Sequence, residues 1–96
     1  MVTFKRILVF GLSGSGKTTF SKKLLLPNMD YYNADEIRKQ FNDWNFSESG
    51  RKLQAARMLS MTVDSKMNRR HSVADFIAPF DKHRRSYDIT IWMNTI

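Results

Sequence analysis

Short apolar runs alternate with longer segments of mixed polarity along the chain. The clearest run, Arg6–Phe10 (RILVF), is apolar, contains β-branched residues and stops at Gly11, as a parallel strand buried on both faces does. The predicted strands are Arg6–Phe10, Met29–Tyr32, Ser72–Ala78 and Ile89–Met93. Because helical segments separate them, the pattern predicts βαβ units and one short parallel sheet of about four strands, covered by helices on both faces.

Helices are predicted between these strands. They span residues 17–26, Asn33 to about Phe41, and a longer segment that begins at Ser47 or Ser49. A proline would end the first helix, and an Asn or Ser side chain would cap the other two. Apolar residues recur every three or four positions in the longest helix, which predicts one buried face. That face consists of Leu53, Ala56, Leu59, Val63 and Met67. In the last strand, Trp92 and Met93 are predicted to be core residues.

The composition fits one small domain spanning residues 1–96. Hydrophobic residues make up 42% of the chain, so a folded core is expected. The 16 Lys and Arg against 9 Asp and Glu give a net charge of +7, which favours anionic partners such as nucleotide phosphates, sulfate esters or nucleic acid. The absence of cysteine excludes disulfides and suits a reducing compartment. No apolar run approaches the roughly 20 residues of a membrane span, and no signal-peptide cleavage site follows the start, so we expect a cytoplasmic protein without membrane contact.

The segment GLSGSGKTTF, directly after the first strand, fits a phosphate-binding pattern. Residues 11–18 match the P-loop (Walker A) pattern G-x-x-x-x-G-K-[ST], between a buried strand and a helix. The backbone N–H groups of such a loop wrap nucleotide phosphates, Lys17 would reach the β- and γ-phosphates, and Thr18 would ligate Mg²⁺. The alternative is a flexible Gly/Ser turn, although a chance match is expected in only about one such chain in a few hundred. The expected cofactors are therefore ATP (or GTP) and Mg²⁺. The predicted phosphate-binding residues are Gly11, Ser13, Gly14, Ser15, Gly16, Lys17, Thr18 and Thr19.

A carboxylate and an arginine follow the second strand in the stretch NADEIR. Asp35 at a strand end near a phosphate loop can accept the proton of an attacking hydroxyl or hold a metal-bound water. Arg38 lies one helical turn away and could bind an anionic substrate group. The alternatives are stabilisation of the first helical turn by Asp35 and a solvated helix face for Arg38. Lys17 and Asp35 are the predicted catalytic residues.

Two later stretches carry residue types that suit a nucleotide acceptor. In FSESGRKLQAAR, Arg51 can clamp a phosphate or sulfate, Gln54 can hydrogen-bond and Phe46 can stack on a base, unless this is an ordinary first turn with exposed polar residues. In FIAPFDKHR, Pro79 and Phe80 come just beyond the carboxyl end of the third strand. Open α/β sheets bind ligands at that edge.

Together these four stretches resemble the motifs of adenylylsulfate kinase, a P-loop kinase family. The family carries GLSGSGKTT, D-G-D-x-x-R, F-S-x-x-D-R-x-x-N-x-x-R and I-S-P-F followed by arginines. Here the first motif is unchanged, and the others read NADEIR, FSESGRKLQAAR and IAPFDKHR. Asn33 and Ala34 depart from the second motif, Gln54 replaces an asparagine in the third, and Asp81 stands where the family has arginine.

The resemblance implies a P-loop NTPase-type fold with three α/β/α layers. It also implies transfer of the ATP γ-phosphoryl group to the 3′-hydroxyl of adenylyl sulfate, the small-molecule nucleotide substrate, in sulfate assimilation. The residues implied to bind this substrate are Arg38, Phe46, Arg51, Gln54, Ile77, Ala78, Pro79, Phe80 and Arg84. The family continues past its fourth strand with a lid, a last strand and a helix, so these 96 residues resemble a fragment or a reduced relative with weak nucleotide affinity and low turnover. An exposed edge at the fourth strand would favour homo-oligomer pairing.

Two other functions remain open at this point. A P-loop kinase can act on another hydroxyl, such as a sugar or the 5′-hydroxyl of a nucleic acid, and the basic runs at 69–71 and 82–85 permit the latter. Nucleic acid is the less expected partner because aromatic and basic residues do not interleave along the sequence. A domain that binds nucleotide without transferring phosphate is the third alternative. Neither histidine has metal-ligand spacing, so metal binding by them is not expected.

Overall fold

Parallel strands and helices alternate through the chain, and the computed structural model describes residues 3–11, 16–78 and 80–93. The strands are β1 (Arg6–Phe10), β2 (Met29–Asn33), β3 (His71–Phe76) and β4 (Ile89–Trp92). The helices are α1 (Lys17–Lys23), α2 (Ala34–Phe41), α3 (Glu48–Met67) and α4 (Asp81–Arg84). The strand order is β2-β3-β1-β4 with every pairing parallel, which confirms the predicted α/β fold.

Strand β1 lies inside the sheet and is covered on both faces. Adjacent side chains of a strand point to opposite faces, and both Leu8 and Val9 are fully buried. Right-handed crossovers place α1 on one face of the sheet and the other helices on the opposite face. Consistently, α3 packs against β3 and β2 and contacts both α2 and α4. This arrangement gives the three layers that were predicted.

The strand register brings polar residues together at one edge of the sheet. Asn33, the last residue of β2, pairs with Asp75 of β3, and Asp75 in turn pairs with Val9 of β1. Because the strands are parallel, their carboxyl ends meet at this edge, and the helices that follow begin there. The connections after β1, β2 and β3 therefore converge on a single region, where open α/β sheets bind ligands.

The predicted caps of α2 and α3 are confirmed. The Asn33 side-chain oxygen accepts hydrogen bonds from the backbone N–H groups of Asp35 at 3.0 Å and Glu36 at 3.2 Å. The Ser47 hydroxyl accepts one from the Gly50 N–H at 3.2 Å. Helix α1 ends at Lys23, three residues earlier than predicted, because residues 24 and 25 bond to carbonyls three positions back and leave the helix through a turn.

The predicted buried face of α3 is wrong. Leu53, Val63 and Met67 are 51%, 37% and 77% exposed, Ala56 is exposed, and only Leu59 packs partly against the core. The buried residues are instead Gly50, Gln54, Ala55, Met58, Thr62 and Ser65. Small and hydrogen-bonded polar side chains occupy this face: the Ser65 hydroxyl donates to Asp30 at 2.7 Å and lies 2.6 Å from the Tyr32 hydroxyl. Such residues can face a sheet because their polar atoms have partners.

Strand β4 lies at the edge of the sheet, as predicted, and pairs with β1. Its residues are mostly exposed, and Trp92 is 64% exposed, so the assignment of Trp92 to the core is wrong. An edge strand has a neighbour on one side only, which leaves its side chains less covered than those of β1 or β3. None of the described helices is both long enough and apolar enough to cross a membrane.

Substitution of two methionines of α3 tests which face of this helix is buried. Met58 is fully buried in the core, whereas Met67 is 77% exposed at the end of the same helix. We expect Met58→Ala to lower the free energy of unfolding by about 2–5 kcal/mol, because it leaves a cavity in the core. Met67→Ala is the matched control and should change it by less than about 0.5 kcal/mol. Urea unfolding of both variants measures the difference, and similar losses would contradict this orientation of α3.

Candidate active site

A cleft of about 410 Å³ opens at the carboxyl edge of the sheet. It lies between the start of α1, the start of α2, the first turns of α3 and the end of β3. The described residues that line it are Gly16, Lys17, Thr18, Thr19, Asn33, Ala34, Asp35, Arg38, Phe46, Arg51, Gln54, Asp75, Phe76, Ile77 and Ala78. All four stretches singled out in the sequence contribute to this list.

Most of the predicted site residues meet in this cleft. Those that line it are Gly16, Lys17, Thr18, Thr19, Asp35, Arg38, Phe46, Arg51, Gln54, Ile77 and Ala78. Ser13, Gly14, Ser15 and Pro79 lie outside the described residues. Gly11, Phe80 and Arg84 are described but do not line the cleft.

Two glycines shape the backbone around the phosphate-binding segment. Gly16 caps α1 with a φ of 85°, a left-handed conformation that side chains rarely adopt. Lys17 and Thr18 follow it as the first residues of α1, so this geometry places both at the cleft. Gly11 has a φ of 147°, and a Cβ there would lie 2.5 Å from the carbonyl oxygen of Met93. Gly11 therefore allows the end of β1 to approach the end of β4.

Asn33 and Asp75 link the start of α1 to the ends of two strands, and sequence reasoning missed this arrangement. The Asp75 carboxylate is 2% exposed and accepts hydrogen bonds from the Tyr31 hydroxyl at 2.7 Å and from Asn33 Nδ2 at 3.3 Å. Asn33 Nδ2 also lies 3.4 Å from Thr18 Oγ1. Burial raises the pKa of the Tyr31 hydroxyl, and the hydrogen bond to Asp75 raises it further. The available sequence signal was a lone aspartate within the apolar run SVADFIA.

The charged groups available to an acceptor come from α2 and α3. Asp35 lies exposed in the first turn of α2, and its carboxylate forms no hydrogen bond or ion pair with the described residues. Arg51 lies exposed in the first turn of α3, and its guanidinium likewise has no polar partner within the described part of the chain. The two side chains line the same cleft with opposite charge. An acceptor could therefore meet a carboxylate and a guanidinium there.

Arg38 supports the loop that precedes α3. It is 4% exposed, and its Nη1 donates to the backbone carbonyls of Asp43 at 3.0 Å and Asn45 at 3.1 Å. Its guanidinium also lies 4.4 Å from the centre of the Phe46 ring, which is itself 61% exposed at the cleft. The alternative of a solvated helix face for Arg38 is wrong. Arg38 instead fixes the position of Phe46 through backbone and cation–π contacts.

Gln54 joins α3 to α2. It is 4% exposed, its Nε2 donates to the Ala34 carbonyl at 2.9 Å, and its Oε1 accepts from Arg57 Nη1 at 3.3 Å. Both ends of the side-chain amide are therefore used within the protein. Gln54 lines the cleft wall and holds the start of α2, which carries Asp35, against α3.

Arg84 and Phe80 lie apart from the cleft. The Arg84 guanidinium lies 5.2 Å from the centre of the Phe10 ring and lines a separate small cavity. The Phe80 ring lies 5.7 Å from the Lys52 ammonium and packs edge-on against His83. Burial lowers the pKa of His83, and the charges of Lys82 and Lys52 lower it further. Neither Phe80 nor Arg84 reaches the predicted acceptor region in this conformation.

The oxygen donors in the cleft suit a magnesium ion that arrives with a nucleotide. Among the described residues, no group of three or more His, Cys, Asp or Glu side chains could hold a metal. The cleft offers the Thr18 hydroxyl and the carboxylates of Asp35 and Asp75. Mg²⁺ prefers oxygen ligands and takes several of them from water and substrate phosphates. The residues present therefore fit Mg²⁺ as part of a metal–nucleotide complex.

Comparisons with solved structures agree with this architecture. The crystal structure of APE1195 superposes with a TM-score of 0.83 at 17% identity, which shows a shared fold. The aligned region covers 100% of this chain and 66% of the APE1195 chain. APS kinase CysC of Mycobacterium tuberculosis, solved in complex with AMPPNP and APS, has a TM-score of 0.71 at 27% identity. Here the aligned region covers 90% of this chain and 54% of CysC. A chain of the Pnkp1/Rnl/Hen1 complex shares the fold, with a TM-score of 0.71 at 21% identity. The aligned region covers 100% of this chain and 38% of that chain. The chain thus spans about half to two thirds of the length of the first two proteins.

Sequence comparison identifies the family. None of the curated proteins compared with the chain matches significantly. The sequence profile of the adenylylsulphate kinase family, however, matches residues 4–92. This match covers the strands, the described helices and all four motifs, which confirms the resemblance found in the sequence. The chain belongs to the adenylylsulphate kinase family.

Proposed function

We propose that this protein transfers the γ-phosphoryl group of ATP to the 3′-hydroxyl of adenylyl sulfate. The hydroxyl oxygen would form a bond to the γ-phosphorus while the bond from that phosphorus to the β–γ bridging oxygen breaks. The products are ADP and 3′-phosphoadenylyl sulfate. The observation that carries this proposal is the convergence of Lys17, Thr18, Asp35 and Arg51 on one cleft at the carboxyl edge of the sheet.

The cleft residues have distinct roles in this reaction. Lys17 would neutralise charge on the transferring group, and Thr18 would hold Mg²⁺, which when bound supplies charge neutralisation at the phosphates. Asp35 would take the proton of the attacking hydroxyl and orient it. Arg51 would bind an anionic group of the acceptor, and Phe46 would stack on its base. Positioning and electrostatic stabilisation account for most of the catalysis of phosphoryl transfer.

The ligands bound in one related structure support the choice of acceptor. That APS kinase from Mycobacterium tuberculosis binds AMPPNP and APS. In the present chain, Ile77 and Ala78 of the fourth motif and Phe46 of the third line the same cleft. Both an apolar wall and an aromatic ring therefore face the region where the adenine of adenylyl sulfate would lie.

A 5′-hydroxyl end of a nucleic acid is the second candidate acceptor. Phe46 lines the cleft and is 61% exposed, and Phe41 at the end of α2 and Trp44 after it are 51% and 53% exposed. Arginines stack on two of them, with the Arg57 guanidinium 4.5 Å from the Phe41 ring centre and the Arg38 guanidinium over Phe46. Exposed aromatic rings beside arginines are typical of surfaces that bind single strands. The fold thus leaves these aromatic rings exposed, although Arg38 is itself buried and Arg57 pairs with Asp43 at 2.7 Å.

An ADP-release assay with Mg²⁺ and ATP distinguishes these acceptors. Adenylyl sulfate is compared with no acceptor, gluconate and an oligonucleotide that has a 5′-hydroxyl. We expect release above background only with adenylyl sulfate, because Arg51 offers a cation to its sulfate and Phe46 offers an aromatic ring to its base. Release with the oligonucleotide alone would transfer the proposal to the second candidate. Nucleotide binding without acceptor-dependent release from any compound would contradict catalysis and favour a binding module.

A further inference from the structure

We infer that Gly50 is a positioning residue for the acceptor, because it lets the loop of residues 42–47 lie directly on the first turn of α3. This loop, the Phe46 loop, carries Phe46 to the cleft. The inference rests on the proposed function, in which Phe46 stacks on the base of the acceptor. Gly50 lies outside the predicted site residues, at a position where the resembled motif F-S-x-x-D-R has aspartate.

The Phe46 loop and α3 approach each other at Gly50 more closely than a side chain allows. A Cβ on Gly50 would overlap the backbone oxygen of Asn45, and it would lie 2.6 Å from Asn45 Cγ and 2.9 Å from the Asn45 carbonyl carbon. Carbon atoms in favourable contact lie about 3.5–4.0 Å apart. Since two of these three atoms belong to the backbone, the overlap is relieved only if the loop itself moves away from α3.

Hydrogen bonds hold the Phe46 loop in this position. Ser47 Oγ accepts from the Gly50 N–H at 3.2 Å, and Asn45 Oδ1 accepts from the Ser47 N–H at 3.0 Å. The Asn45 carbonyl, the same group that faces Gly50, also accepts from Arg38 Nη1 at 3.1 Å. Phe46 lies between Asn45 and Ser47 in the chain, so its backbone is fixed on both sides. A displaced Asn45 would lose these bonds.

The fixed backbone holds the Phe46 ring where an acceptor base can reach it. The ring lines the cleft, is 61% exposed and lies 4.4 Å from the Arg38 guanidinium. Arg38 is only 4% exposed, so it does not follow the ring when the loop moves outward. A side chain at position 50 would therefore move Phe46 off Arg38 and away from the acceptor. This loss concerns acceptor binding, because the base stacks on the exposed ring.

The competing explanation is that Gly50 matters only for the folding of α3, and the kinetics of the acceptor separate the two roles. We expect Gly50→Ala and Gly50→Asp to raise the KM for adenylyl sulfate by about 10-fold, which lies within the usual effect of losing one base–aromatic stack. Affinity for a fluorescent, non-hydrolysable ATP analogue should stay within about two-fold of the parent, because distant sites act independently. The predicted phosphate-binding residues Lys17 and Thr18 lie on α1, across the sheet.

Ser49→Asp is the matched control for Gly50→Asp. It adds the same charge to the adjacent, exposed residue in the same helical turn, and it should leave the KM for adenylyl sulfate near the parent value. The combination of Gly50→Ala with Phe46→Ala gives a second comparison. If Gly50 acts through Phe46, the double variant should be no worse than Phe46→Ala alone, since changes that remove one shared contact are not additive.

A readout without acceptor comes from Trp44, which lies in the Phe46 loop and is 53% exposed. The chain has two tryptophans, so Trp92→Phe leaves Trp44 as the single emitter. In this background Gly50→Ala should shift the emission maximum, and Ser49→Asp should not. If thermal unfolding shows that Gly50→Ala does not fold, Asn45→Ala loosens the loop by removing the partner of the Ser47 N–H, and it should raise the same KM.

Three results would overturn the inference while leaving the proposed function intact. They are a parent-like KM for adenylyl sulfate in both Gly50 variants, an equal rise in Ser49→Asp, and additive losses in the double variant. Absence of ADP release by the parent with every acceptor would instead overturn the proposed function, and the acceptor role of Gly50 with it. Unchanged Trp44 emission in Gly50→Ala would show that Gly50 does not hold the loop, whichever acceptor the protein uses.

Discussion

Lys17→Ala should weaken ATP binding by about 100-fold without unfolding the protein. Lys17 is the first residue of α1, directly after the left-handed Gly16, and it lines the cleft. In the proposed complex its ammonium donates to the β- and γ-phosphates, and hydrogen bonds to charged groups contribute about 1.5–3 kcal/mol. The upper part of that range corresponds to about a 100-fold change in the dissociation constant.

Lys22→Ala is the matched control for this prediction. Lys22 lies exposed in the last turn of the same short helix and does not line the cleft. Lys22→Ala therefore changes the net charge and the composition of α1 as much as Lys17→Ala does. Titration with the fluorescent ATP analogue in Mg²⁺ should give near-parent affinity for Lys22→Ala, and circular dichroism should show similar thermal unfolding for both variants. If Lys17→Ala binds the analogue as tightly as the parent does, the interpretation of residues 11–18 as a phosphate-binding loop is wrong.

Strand β1 was predictable because the signal lies in its own residues. Fully buried parallel strands are apolar over four or more consecutive residues, and the run at Arg6–Phe10 ends at a glycine that the close approach to Met93 requires. The caps of α2 and α3 were predictable for the same reason, since Asn33 and Ser47 bond to backbone groups two or three residues away. Parallel topology then follows from the alternation of strands and helices, which places the motifs at one edge of the sheet.

The orientation of α3 was not predictable from its apolar spacing. Its apolar residues form a continuous stripe, but the sheet beneath it presents Asp30 and Tyr32, and Ser65 bonds to both. A polar residue on the buried face is stable only when a distant residue supplies its partner, and those partners lie more than 30 positions away in sequence. The exposed stripe and the exposed Trp92 are features of tertiary packing that a one-dimensional pattern does not report.

The candidate site was partly predictable, and the misses have a common cause. Residues recognised by motif, such as Thr18, Asp35 and Arg51, do line the cleft. Asp75 was missed because its importance comes from pairing with Asn33 across the sheet, a relation between strands 42 residues apart. Arg84 matches its motif in sequence, yet it stacks on Phe10 away from the cleft, because the short helix α4 directs it towards β1.

Asp35→Asn should abolish most phosphoryl transfer while leaving ATP binding nearly unchanged. Asp35 is exposed at the start of α2, where the Asn33 cap fixes its backbone, and its carboxylate has no competing partner in the described part of the chain. An asparagine has nearly the same shape but does not accept the proton of the attacking hydroxyl. Loss of a general base typically lowers the rate by about 10²- to 10⁴-fold. The turnover number with adenylyl sulfate should fall by that factor.

Glu36→Gln provides the control because it removes the same charge from the adjacent residue. Glu36 is also exposed in the first turn of α2, its N–H is capped by Asn33, and its side chain does not line the cleft. Any effect on the helix dipole should therefore appear equally in both variants, whereas loss of proton transfer should appear only in Asp35→Asn. The ADP-release assay gives the turnover number, and titration with the ATP analogue shows whether binding is retained. Equal rates in the two variants would mean that Asp35 stabilises α2 rather than taking part in the reaction, and the base would then have to be sought elsewhere in the cleft.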